Sequence, residues 1–194
     1  MFAGALVSFL KWQDKKLASL AIRAMGFLRR SPYPIHPKHL YDDNRNKGLL
    51  RLFFDGMIFL DVGSGTGSDC LGAIRSGAQY VYGIEKNSDL IRICNERLQA
   101  EASNYQIIQC DLEIGNIRIP DNSVDVINFS NVLEHLNNRV CVLKELCRIL
   151  KPNGSIYISI PNADTPWKKW QRSCGQDSRD DEDHKIEYSK ESII

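Results

Sequence analysis

No surplus of one charge marks this sequence of 194 residues: 25 lysines and arginines stand against 24 aspartates and glutamates. That balance excludes a generally basic nucleic-acid binder and leaves only local patches to consider. No apolar run reaches the roughly 18 residues that a membrane-spanning helix needs. None of the six cysteines (Cys70, Cys94, Cys110, Cys141, Cys147 and Cys174) forms a C-x-x-C pair, and no histidine lies at a zinc-finger offset. The cysteines therefore read as buried, reduced thiols of a cytoplasmic protein. Internal repeats are absent. The apolar start, Met1 to Leu10, has no basic leader and no small-residue cleavage site, so it does not read as a secretion signal. What remains is ordinary globular composition, 43% hydrophobic and 25% charged, with room for one domain and a short appendage.

Three zones differ in character. Residues 1–37 form a basic amphipathic arm. In its first thirty residues six lysines and arginines face a single acid, Asp14, and Phe2, Leu6, Phe9, Leu17, Leu20, Ala24 and Phe27 recur near helical spacing. Such a helix suits an anionic membrane surface, or packing on the domain or on a partner. Pro32, Pro34 and Pro37 then break the helix and hold the chain extended. In the second zone, 38–161, apolar runs alternate with helical patterns. Strands are expected at 57–60, 80–84, 105–109, 124–129 and 155–160. A helix continues from Cys70 to Ser76. Leu90, Ile91, Cys94 and Leu98 line the next, and Val140, Leu143, Cys147 and Leu150 line a third. Strand and helix in alternation predict an α/β fold: a doubly wound, Rossmann-like, mostly parallel sheet with right-handed crossovers. The third zone, 162–194, is polar and poorly periodic, and its acidic run Asp180-Asp181-Glu182-Asp183 reads as a solvated loop.

The informative stretch is Leu60-Asp61-Val62-Gly63-Ser64-Gly65-Thr66-Gly67, which ends the first strand and opens the first helix. Glycines there let the backbone turn tightly and approach a ligand, and the helix start presents free N–H groups. A glycine turn alone is a weak signal. Glu85 ends the second strand 18 residues past Gly67, where a carboxylate can accept both ribose hydroxyls, and Asp111 follows the third strand, within reach of an adenine amino group. All three segments meet at the carboxyl edge, where open α/β sheets bind their ligands.

With these residues, and with Pro120-Asp121-Asn122-Ser123-Val124-Asp125-Val126-Ile127, Asn131-Val132-Leu133-Glu134-His135-Leu136 and Arg148-Ile149-Leu150-Lys151-Pro152-Asn153-Gly154, the chain resembles the class I S-adenosylmethionine-dependent methyltransferases, in particular their type 11-like domain. The resemblance implies strand order 3-2-1-4-5 and S-adenosylmethionine as cofactor, leaving S-adenosylhomocysteine as product. It implies Gly63, Ser64, Gly65 and Gly67 under the methionine part, and Asp61 holding that loop or meeting the amino group. Glu85, with Lys86 beside it, would take the ribose, Asp111 and the Leu112 backbone the adenine, and Ser130 the methionine end. A dinucleotide site fits less well, because this turn is G-x-G-x-G with Ser68 at the sixth position.

Methyl transfer needs the acceptor aligned behind the methyl group and, for a hydroxyl or ammonium, a base. His135 is the candidate, its ordinary pKa suited to neutral pH; the alternative is a histidine that shapes the pocket wall or caps the next helix. Asn131 stands where metal-binding relatives carry an acid, so no metal is expected. His36 and His39 are placed to fold over the cofactor. No Asn/Asp-Pro-Pro-aromatic signature follows the fourth strand, so no nucleic-acid acceptor is expected. The expected acceptor is a small molecule, a lipid-linked intermediate or a sugar; the alternative is a non-catalytic cofactor-binding subunit that regulates a partner. The family's sheet has seven strands, and the 34 residues after Ile160 are too few for the last helix and hairpin. The resemblance thus ends in a truncation, with Ser189 capping the start of an incomplete helix. Strand 156–160 would be an apolar edge that a second copy or a partner chain covers.

Overall fold

The computed structural model describes residues 45–175 and 177–192. The basic arm, the proline joint, His36 and His39 lie outside the described residues. A short helix α1 (Arg45–Leu50) precedes β1 (Ile58–Val62), α2 (Ser68–Arg75), β2 (Tyr80–Glu85), α3 (Ser88–Leu98), β3 (Tyr105–Gln109), β4 (Val124–Ser130), α4 (Arg139–Ile149), β5 (Leu150–Ser159) and α5 (Pro166–Ser173). The five strands form one sheet in the order β3-β2-β1-β4-β5, and every pairing is parallel. Among the described residues the sheet ends at β5. Two compact units result: residues 46–160 hold the whole sheet, and the described residues from 161 onward belong to the other.

The central strands are buried on both faces, as parallel strands flanked by helices must be. Phe59, Leu60, Val62, Val81, Ile84, Val126, Ile127 and Phe129 are all buried, and Met57, Cys70, Ala73, Cys94 and Leu98 share one core cluster with Phe59, Val81 and Val126. The hydrogen bonds that Asn87 accepts from the Asp89 and Leu90 N–H groups start α3. The connection between β3 and β4 lacks regular structure and is anchored instead: Ile117 and Ile119 are buried, and Arg148 donates to both of their carbonyls.

Four expectations need correction. Helix α4 buries Val142, Leu146 and Ile149, while Val140 is 64% exposed. Two stripes at helical spacing compete in this sequence, and the sheet selects the one that places Leu146 and Ile149 inward; Leu150 already belongs to β5. In consequence Cys141 and Cys147 are exposed rather than buried, whereas Cys70 and Cys94 are buried as expected. Residues 151–154 do not separate helix from strand. Val124 pairs with Leu150 and Val126 with Ser155, so these four residues bulge out of a continuous strand. Asp125 closes the bulge by accepting from Lys151 Nζ and from the Ile58 N–H, both at 2.8 Å.

The fourth correction concerns the polar C-terminal zone, which holds α5. Thr165 caps it by accepting from the Lys168 N–H, and Pro166 occupies its first position, where a missing N–H costs nothing. Lys168 is buried, and its Nζ donates to Asp180 Oδ2 and Glu187 Oε2, both at 2.8 Å. Asp180 is thus tied to α5, yet it is exposed like Asp181, Glu182 and Asp183, so the acidic run is solvated as expected. At the other end of the zone Ser189 accepts from the Ser192 N–H, the geometry of a cap, in a turn rather than a helix. Among the described residues no helix is long and apolar enough to cross a membrane.

Candidate functional site

The chain leaves β1 at Val62 and turns over the edge of β2: the Gly63 and Ser64 N–H groups both donate to the Ile84 carbonyl, at 2.8 and 2.9 Å. Gly63, Gly65 and Gly67 have φ of +77°, +52° and +76°, the left-handed region that side chains disfavour. At two of them the space is also filled. A Cβ on Gly63 would lie 2.5 Å from Val132 Cγ2, and one on Gly67 2.5 Å from Cys94 Sγ. A Cβ on Gly65 would meet nothing within 4 Å among the described residues. The middle of the turn therefore presents bare backbone to open space.

Glu85 faces this turn from the end of β2. Its Oε2 accepts from the Gly65 N–H at 2.9 Å, and its Oε1 accepts from the Lys86 and Asn87 N–H groups at 2.9 Å. Two carboxylate oxygens offer about four lone-pair sites, so these three bonds leave acceptor capacity. Lys86 contributes through its backbone, and its side chain is exposed.

Asp61 lies beneath the turn and is 3% exposed. Its Oδ1 accepts from Asn128 Nδ2 at 2.8 Å and its Oδ2 from Cys70 Sγ at 3.5 Å. A hydrogen bond with Cys94, then burial, then the Asp61 charge hold the Cys70 thiol well above its ordinary pKa, so it stays a neutral donor. Ser130 Oγ donates to Asn128 Oδ1 at 2.6 Å. Ser64 is buried, and its Oγ, which lies 3.0 Å from where a Gly83 Cβ would stand, has no hydrogen-bond partner among the described residues.

On the far side of β2, Asp111 is exposed; its carboxylate accepts from the Glu113 N–H and its carbonyl from the Gly115 N–H. This tight turn sets Leu112 on the wall of a cleft of ≈ 150 Å³, shared with Ile117, Asn138, Cys141 and Val142. Glu113 closes the corner by accepting from the Asn137 and Asn138 N–H groups at 2.6 and 3.2 Å. It thereby serves the start of α4, which has no side-chain cap of its own.

His135 ends a 3₁₀ turn, Leu133–His135, and its N–H donates to the Val132 carbonyl. Val132 is the residue that packs against Gly63, so the histidine's segment adjoins the glycine turn. The structure thus brings Asp61, Gly63, Gly65, Gly67, Glu85, Ser130 and the His135 segment together at the carboxyl edges of β1, β2 and β4, with Asp111 and Leu112 at that of β3. Sequence reasoning missed Asn128 and Glu113. For Asn128 a signal existed: it is a lone amide within the otherwise apolar run Val126-Ile127-Asn128-Phe129.

The residues fit a nucleoside with an amino-acid tail. The open face at Gly65 admits close approach, and the spare lone pairs of Glu85 suit sugar hydroxyls.

A family described as a methyltransferase domain matches residues 53–191. An uncharacterized methyltransferase of Schizosaccharomyces pombe is 34% identical over 111 residues, 54% of this chain and 39% of that protein. A mitochondrial ubiquinone biosynthesis O-methyltransferase of Dictyostelium discoideum is 31% identical over 135 residues, 63% of this chain and 41% of the relative. The chain thus spans about two-fifths of the length of these relatives. A solved S-adenosylmethionine-dependent methyltransferase from Aquifex aeolicus shares 25% identity at a TM-score of 0.54, over 64% of this chain and 71% of that one.

Proposed function

This chain belongs to the methyltransferase domain family, and on that premise we propose that it binds S-adenosylmethionine along the carboxyl edge and transfers its methyl group to a small, lipid-linked acceptor. The observation that carries the reading is Glu85. Its carboxylate is fixed by the Gly65, Lys86 and Asn87 N–H groups, beside a turn left bare at Gly65. The lipid-linked acceptor is favoured by the relative named for ubiquinone biosynthesis.

When bound, the cofactor supplies a methyl group on a positive sulfur, already activated for displacement. The chain's residues do the rest. Glu85 accepts the ribose hydroxyls, held in place by three neutral donors that do not cancel its charge. Asp111 and the Leu112 backbone take the adenine. His135 accepts the proton that a hydroxyl or ammonium acceptor must lose.

Calorimetry with S-adenosylhomocysteine tests the binding. Glu85→Ala is expected to weaken it by about tenfold to a hundredfold, the range for charge-assisted hydrogen bonds. Unchanged affinity in that variant overturns the reading. Turnover on quinol-type acceptors tests the chemistry, and His135→Ala should lower it with binding retained. Binding without turnover on any acceptor would instead favour a non-catalytic cofactor-binding subunit.

A further inference from the structure

We propose that the outer edge of β5 is an interface with a second copy of this chain, the two strands running antiparallel about a twofold axis at Tyr157. The proposal is separate from the cofactor reading and does not rest on it. The Asn131 N–H donates to the Ser159 carbonyl at 2.8 Å, and Ser159 stands beside Ser130 in the parallel register. The backbone groups of Ser159 therefore face β4, and the two-residue period of a strand turns those of Tyr157 and Ser155 the same way. The N–H and carbonyl groups of Ile156 and Ile158 face away from β4. Among the described residues the sheet has no strand beyond β5 to receive them.

The order of the residues identifies a receiver. Ser155-Ile156-Tyr157-Ile158-Ser159 reads the same in both directions. A twofold interface sets one patch against itself, so it needs a self-complementary patch. With the axis at Tyr157, Ile156 lies opposite Ile158 of the second copy, and Ser155 opposite Ser159. The residues with outward-facing backbone groups are then the ones that meet, and each Ile156 exchanges both N–H···O bonds with an Ile158. Tyr157 forms a non-hydrogen-bonded pair with its counterpart, the closer kind of pair, and aromatic pairs stabilise there. Moving the axis by one residue either way sets Tyr157 against a serine.

Charge and exposure agree with this occupant. Pro152 to Ala163 is the longest uncharged run in the sequence. Natural edge strands carry charges, prolines or bulges that discourage pairing. Here Pro152 and the bulge at 151–154 precede the regular stretch 155–159, which carries none of these. No like charges meet across the axis. Ile158 is 44% exposed, whereas Phe129, its neighbour on β4, is buried. Ile156 and Ile158 share one face, so pairing sets the isoleucines of both copies side by side and removes apolar surface from water.

Light scattering on the full chain should read twice the mass of one copy. A wild-type monomer at about 100 μM overturns the proposal, since a micromolar Kd would leave mostly dimer there. Ile158→Lys sets an ammonium in the middle of the interface and should raise the dimer Kd about a hundredfold or more. A folded Ile158→Lys protein that stays dimeric overturns the proposal. The register has its own test, with two near-isosteric variants mixed under mild oxidation. Ser155→Cys and Ser159→Cys should together give a disulfide between positions 155 and 159, identified by peptide mass spectrometry. Neither variant alone should link to its own copy, because those positions stand about 14 Å apart along the paired strands, too far for a disulfide. A dimer without the mixed link uses another face, and that result overturns the proposal. If Ile158→Lys fails to fold by circular dichroism, the mixed link alone decides.

Discussion

Two buried carboxylates in this chain are held on opposite terms. Glu85, at the carboxyl edge of the sheet, accepts from three backbone N–H groups. Glu187, in the C-terminal segment, accepts from Lys168 Nζ and the Asp180 N–H and is bonded to His184 Nδ1 at 3.0 Å. Peptide donors fix a carboxylate without neutralising it, so Glu85 keeps both its charge and spare lone pairs for a ligand. An ammonium fixes a carboxylate and cancels it, so the Lys168–Glu187 pair has its charge spent internally. The first arrangement suits binding. The second suits holding a polar segment of chain in one conformation.

The largest expected effect comes from breaking the second arrangement. Lys168→Met removes the cation and leaves Glu187 buried among the remaining donors. A loss of about 3–5 kcal/mol is expected for breaking a buried pair from one side. Faster hydrogen exchange at the α5 amides would report it, and exchange at the wild-type rate would mean that the pair holds nothing.

Breaking the first arrangement through its backbone should cost less. Gly67→Ala must place a Cβ at φ +76°, 2.5 Å from Cys94 Sγ. Left-handed strain and overpacking together make about 2 kcal/mol reasonable, seen as a lowered Tm together with weaker nucleoside binding. Gly65→Ala, at φ +52° but with nothing within 4 Å, separates strain from crowding. It should be the milder of the two in stability and still impair binding, because its Cβ enters the open face.

The smallest effect is a gradual one with pH. Burial pushes the Glu187 carboxyl up, but Lys168, the Asp180 N–H and His184 outweigh it, and the group sits below its ordinary value. A carboxylate depressed in the folded state is ionised to lower pH there than in the unfolded chain. Its contribution to stability is therefore complete above the ordinary carboxylate pKa and is lost as pH falls through the depressed one. Protection of the Asp180 amide, followed by hydrogen exchange while pH is lowered through the carboxylate range, should decline in that window. In Glu187→Gln the same protection should start lower and lose this pH dependence.

Much of the fold was legible because its signals are local. Strand β3 falls on Tyr105–Gln109 as expected, and the glycine cluster and Glu85 sit where strand ends place them. The phase of α4 was not legible: Val140–Leu143–Cys147 and Val142–Leu146–Ile149 have equally good helical spacing, and only the sheet's surface discriminates between them. The bulge at 151–154 escaped because Pro152 and Asn153 resemble a helix stop, while pairing across to β4 carries the strand through. Helix α5 was legible in principle, from Thr165 before Pro166, but its polar composition hid it.

The residues alone determined the alternation of strands and helices and the positions that need glycine, since propensity, period and turn chemistry act over a few neighbours. Tertiary structure decided which way the Asn128 amide points, which cysteines are buried and which acids are spent. Asn128 and Asp61 are 67 residues apart and Lys168 and Glu187 are 19 apart. Whether such partners meet depends on the packed arrangement of the elements between them, and so does the burial that makes their hydrogen bonds count.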